Sequence, residues 1–183
     1  MAAQNFRESC KLILREIDSA LAGVAQERVA ALAAAVREAS AVFVTGEGRS
    51  GLVARCFAMR LMHLGLSAHV VGESVTPALR EGDLLVAVSG TGESDITRTR
   101  ARLAKEQGGR VAALTGSEGS SLASGADLAV VIPAGKGKAS TAQFGGSQFE
   151  QTALLALEAV VLQLREELGR SDEEMADRHA TVE

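Results

Sequence analysis

Tryptophan and tyrosine are absent from this 183-residue chain, and five phenylalanines are its whole aromatic complement. Surfaces that stack nucleobases or sugar rings are built from such side chains, so neither is expected. Proline occurs only twice and cysteine only twice. Cys10 and Cys56 fall in segments that read as helical and lack metal-ligand spacing, which fits idle reduced thiols rather than a disulfide or a metal site. No apolar run approaches the roughly 18 residues of a membrane span, and the N-terminus has no charged-then-apolar leader pattern. A cytoplasmic chain without a membrane partner is the expectation. Excess positive charge is missing too: the net charge is −4. Residues 165–183 hold seven acids against three bases, while residues 1–164 balance at sixteen each. Nothing there offers a face to a nucleic-acid backbone.

What the chain has in quantity is small aliphatic side chains and 19 glycines, with 46% hydrophobic residues overall. From Asn5 to Ala39 apolar residues recur at helical spacing, with Gly23 dividing two helices. Five short apolar runs follow, at Ala41–Thr45, Ala68–Gly72, Leu84–Ser89, Val111–Thr115 and Leu128–Ile132. Helical stretches separate them at Ser50–Leu64, Ser94–Gln107 and Ser120–Ser124, each opening on a good capping residue. Continuous apolar strands alternating with helices predict a doubly wound α/β fold, a five-stranded parallel sheet sandwiched by helices. After a flexible Gly-Lys-Gly-Lys stretch, a long helix is predicted over Ser147–Leu168, then a short acidic one capped by Ser171 with Glu174 three residues on. The expectation is a single domain over 1–183, with helices 1–39 and 147–180 packed on the sheet. Residues 153–164 are apolar nearly all round, so a homo-oligomer built through helices, a dimer or a tetramer, is expected.

Two loops stand at strand ends where ligands of such sheets bind. Gly46-Glu47-Gly48-Arg49-Ser50-Gly51 matches the dinucleotide fingerprint G-x-G-x-x-G, with Glu73 about twenty residues on. That pattern is weak alone, and no separate substrate domain is evident. Ser89-Gly90-Thr91-Gly92-Glu93-Ser94 is the stronger signal. Its glycines let backbone N–H groups approach a phosphate monoester at a helix N-terminus, and its hydroxyls complete the coordination. The same residues also serve as ordinary turn and cap residues. No Gly-Lys-Ser/Thr ending marks a nucleotide loop.

With these residues in place, the chain resembles the sugar isomerase (SIS) domain family. The likeness rests on Gly-Arg-Ser-Gly-Leu-Val at 48–53, Phe-Ala-Met-Arg-Leu-Met-His-Leu-Gly at 57–65, Val71-Gly72-Glu73, Gly82-Asp83-Leu84-Leu85, Phe149-Glu150 and Arg178-His179-Ala180. It covers nearly the whole chain and implies a flavodoxin-like strand order. The 57–65 block and the tail resemble the members that isomerise D-arabino-hex-3-ulose 6-phosphate to fructose 6-phosphate, the second step of formaldehyde fixation through ribulose monophosphate. Glu47 stands where a small residue is usual. A carboxylate beside an anion site opposes phosphate unless Arg49 pairs with it or it points away.

Moving a carbonyl from C3 to C2 requires a base for the C2 proton, a held enediolate and proton return at C3. The resemblance assigns the base to Glu150, at the start of the long helix. A helix N-terminal Glu that merely complements the dipole is the plainer reading. For protons on oxygen the candidates are His179, in the Arg-His-Ala segment, and His63, with capping of its own helix as the alternative; His69 reads as structural. Arg49 and Ser50 join Ser89, Gly90, Thr91, Gly92, Glu93 and Ser94 as substrate-binding candidates, against Arg49 pairing only with Glu47. No cofactor or metal is implied. Alternatives are another sugar-phosphate isomerase, such as one for a heptulose phosphate, or a sugar-phosphate sensor, which usually carries a helix-turn-helix module for which no room is evident.

Overall fold

The computed structural model describes residues 5–134 and 141–181; the Gly-Lys-Gly-Lys stretch lies outside them. Helices α1 (Phe6–Ala22) and α2 (Gln26–Glu38) precede β1 (Val42–Gly46), α3 (Gly48–His63), β2 (Ala68–Val70) and β3 (Leu84–Ser89). Then come α4 (Asp95–Glu106), β4 (Arg110–Thr115), α5 (Ser121–Gly125), β5 (Leu128–Val131), α6 (Ser147–Glu167) and α7 (Asp172–Asp177). All strands are parallel, in the order β2-β1-β3-β4-β5, the flavodoxin-like order. Strand order reverses between β1 and β3, where Gly46 is in register with Val88, and Ser89 with Thr115. That reversal opens a crevice at the carboxyl ends.

Strand alternation divides the core. Val42, Val44, Val86, Val88, Leu114 and Val130 face α2, α3 and α6, whereas Phe43, Leu85, Ala87, Val111 and Ala113 face α4 and α5. Both sheet faces are covered, so the strands needed no polar alternation. Helix α6 packs on α1, α2 and α3 together, which uses most of its apolar circumference. Two of its leucines stay out: Leu155 is 45% exposed and Leu162 64%. The two helices predicted over 147–180 form as α6 and α7 with a turn at 168–171, and Arg178 and His179 lie beyond the last turn of α7. Ser171 and Glu174 form the predicted capping box, each side chain bonding the other's backbone N–H.

Candidate active site

Gly46 and Gly51 explain the fingerprint loop without a nucleotide. A Cβ on Gly46 would meet the Val88 carbonyl at 2.8 Å and the Gly51 nitrogen at 2.9 Å, so both glycines serve the close approach of β1 to α3. Glu73 is tied to Arg55 as an ion pair. Gly48 takes φ +57°, which glycine adopts readily.

The Ser89–Ser94 loop is built from its own bonds. The buried Ser89 hydroxyl accepts the Gly92 N–H at 3.1 Å, the Thr91 hydroxyl accepts the Glu93 N–H at 3.1 Å, and Ser94 caps α4. Gly92 has φ +69° and lies against Ser120 and Thr115, where a Cβ would collide. Gly90 lies under the Phe149 ring, whose nearest carbon would be 3.0 Å from a Cβ there. Glu93 turns aside: the Ser121 N–H donates to it at 2.7 Å and, with Arg98 nearby, holds its carboxyl below the usual range.

Opposite the loop, α6 starts after Gly145 and Gly146, both at positive φ. Glu150 sits in its first turn with its side chain 18% exposed, and Arg49 Nε donates to Oε2 at 2.8 Å. Arg49 also donates to the Gly145 carbonyl at 2.8 Å and the Ser147 hydroxyl at 3.2 Å. The alternative of an Arg49–Glu47 pair does not form: Glu47 is taken by Arg100 at 2.6 Å, leaving Arg49 to Glu150. One cavity of about 610 Å³ brings Glu150 together with Ser50, Ser89, Gly90, Thr91, Ser94 and Glu47. Gly92, Glu93 and Arg49 are not among the residues that line it.

Ser117, Thr141 and Gln148 also line the cavity and were not foreseen. Ser117 follows Thr115-Gly116 at the end of β4, so a Thr-Gly-Ser after a strand was the available signal. Thr141 is anchored by Glu16 of α1, whose carboxylate accepts from the Thr141 hydroxyl, the Ala142 N–H and the Gln143 amide. Burial works against the charged form there, yet these bonds outweigh it and hold the carboxyl below its usual value.

The histidines are elsewhere. His63, 3% exposed, stacks on His179 with ring centroids 5.0 Å apart, in a second cavity with Arg60, Glu158 and Arg165. Glu158 is eight residues beyond Glu150, about 12 Å along α6. The end of α3 is capped by the tail: Arg178 donates to the His63 carbonyl at 3.3 Å and Arg170 to the Leu64 carbonyl at 3.1 Å. His69 packs on Phe43 in the edge strand, as a structural residue would. Both cysteines are free and half-buried. Among the described residues no group of three His, Cys, Asp or Glu gathers as metal ligands, and no single helix is long and apolar enough to cross a membrane.

A doubly wound parallel sheet with a hydroxyl-glycine loop and a carboxylate at its switch point defines an α/β protein of the ligand-binding, flavodoxin-like class, and the chain belongs to the SIS domain family, whose model matches residues 35–158. Within that family it is 43% identical to the 3-hexulose-6-phosphate isomerase of Bacillus subtilis (strain 168), over 93% of this chain and 95% of the relative. It is 40% identical to the 3-hexulose-6-phosphate isomerase of Mycobacterium gastri, over 100% of this chain and 94% of that one. A crystal structure of a Methanococcus jannaschii protein, described as inferring a molecular function of 3-hexulose-6-phosphate isomerase, superposes with a TM-score of 0.85. That pair is 30% identical, over 96% of this chain and 99% of the other.

Proposed function

We infer that the protein is a 3-hexulose-6-phosphate isomerase, interconverting D-arabino-hex-3-ulose 6-phosphate and fructose 6-phosphate in formaldehyde fixation by the ribulose monophosphate route. The observation that carries this reading is the meeting of the Ser89–Ser94 loop and the Glu150 carboxylate in one cavity. The loop binds the phosphate through backbone N–H groups and hydroxyls at the α4 N-terminus. Glu150, oriented by Arg49, takes the C2 proton and returns one to C3 through an enediolate. Ser50 and Ser89 supply further hydroxyls. A sensor with this fold needs the phosphate loop but no carboxylate opposite it, and Glu150 favours catalysis over that alternative.

The stacked His63 and His179 stand away from Glu150 in the same chain, so their proposed work on the substrate oxygens is at a neighbouring subunit's cavity. The homo-oligomer this needs is supported by Leu52, Met59 and Met62 of α3 and Leu155 and Leu162 of α6, all exposed large apolar side chains. The compartment proposed is the cytoplasm. Supplying the 3-hexulose 6-phosphate and following fructose 6-phosphate, with and without chelator, tests the reading. Product is expected in both arms. No product overturns the isomerase, and chelator sensitivity overturns only its metal-free form.

A further inference from the structure

Glu47 is an unusual neighbour for a phosphate: a carboxylate on the wall of the cavity that holds Ser89, Thr91, Ser94 and Glu150. Left alone it would repel the anion. Arg100 prevents this from behind: its Nη1 donates to Glu47 Oε1 at 2.6 Å and to the Thr45 hydroxyl at 3.0 Å. Thr45 is buried in β1, so the guanidinium is anchored to the sheet. Arg100 lines the adjoining cavity and not the one containing Glu150. It cancels the charge from outside without itself reaching the substrate. The Glu47 side chain remains 41% exposed, and among the described residues Oε2 has no hydrogen-bond donor.

An ionised carboxylate held by a guanidinium only accepts hydrogen bonds. The phosphate end of an open-chain sugar phosphate satisfies donors at the loop, and its carbonyl end lies at Glu150. The carbons between carry hydroxyls, which are donors in need of acceptors. Ser50, Ser117, Thr141 and Gln148 in the same cavity carry both donors and acceptors; among the described residues that line it, Glu47 and Glu150 alone have side chains that are acceptor-only when ionised. We propose that Glu47 is a specificity-determining residue that touches the substrate, accepting hydrogen bonds from hydroxyls between its phosphate and its reacting carbons, with Arg100 as its positioning partner. This rests on the isomerase reading above and adds to it the residue that recognises a polyhydroxylated chain.

The test measures KM and kcat for the 3-hexulose 6-phosphate, and calorimetric affinity for inorganic phosphate, in wild type, Glu47→Ala and Glu47→Gln. Glu47→Ala is expected to raise KM about 10- to 100-fold, the range for one hydrogen bond to a charged group, while inorganic phosphate binds as well as before or more tightly. Glu47→Gln, which keeps the shape, raises KM less. Arg100→Met raises both the sugar KM and the phosphate Kd, because it uncovers the Glu47 charge, and adding Glu47→Ala to it restores phosphate binding. An unchanged or lowered KM in both Glu47 variants, with wild-type turnover intact, overturns the inference alone. A wild-type protein that neither binds phosphate nor turns the sugar over overturns the isomerase reading, and this inference with it.

Discussion

Glu150 carries the chemistry at the scale of single residues, and its environment is legible only in part from its neighbours in the chain. Its place in the first turn of a helix after two glycines was readable; its partner Arg49, some hundred residues earlier, was not, because only folding brings α3 and α6 side by side. The same holds for Glu47, whose partner Arg100 is 53 positions away. Glu150→Gln is expected to lower kcat by about 10²–10⁴, the span of a general base, with phosphate affinity retained in calorimetry; near-normal turnover would remove Glu150 from that role. At Gly92 the backbone is left-handed and Ser120 fills the space of a Cβ. Gly92→Ala should therefore lose about 1–2 kcal/mol from conformation alone, read by urea denaturation, together with phosphate binding.

Elements were the most legible level. Each apolar run ended by Gly, Ser, Thr or Pro became a strand within a residue or two, since buried parallel strands need only β-branched or small apolar side chains. The start of α3 shifted from Ser50 to Gly48, because a glycine at positive φ lets the chain turn into the helix directly after Glu47. Less visible was how elements fasten one another. Glu16 of α1 holds residues 141–143 at the rim of the cavity. Its carboxyl lies below 4.5 in the folded protein, so its stabilisation is complete above that value and is lost as the pH falls through the lower folded value. Wild type should melt above Glu16→Gln at pH 6, and the gap should close on acidification below 4.5; a gap independent of pH contradicts this. Deleting residues 171–183 removes α7, His179 and the Arg178 cap on α3, leaving that of Arg170. A fall in kcat is expected there and in His179→Ala, and unchanged kinetics in both would reject a role for the tail.

For the whole molecule the sheet order sets where ligands go, and the aromatic-poor composition suits what is proposed to bind. A small open-chain sugar phosphate needs glycine turns, hydroxyls and a carboxylate, and no stacking platform. The separation of the histidine pair from Glu150 is a property of the whole fold that no local pattern carried, because both lie along α3 and α6 but at different heights. If neighbouring subunits share the site, mixing Glu150→Gln with His179→Ala chains after dissociation should recover part of the activity that each lacks, and Leu162→Glu should weaken assembly in sedimentation. In the proposed reaction the C2 proton is removed as the carbonyl moves from C3 to C2. The most direct measurement supplies the 3-hexulose 6-phosphate carrying deuterium at C2 and follows its conversion by NMR. Fructose 6-phosphate forming more slowly than from the unlabelled sugar, with the deuterium at least partly replaced by solvent hydrogen at C3, is the result expected of a carboxylate and an enediolate. Deuterium carried wholly to C3 with no exchange, or an unchanged rate, would contradict removal of the C2 proton by a base.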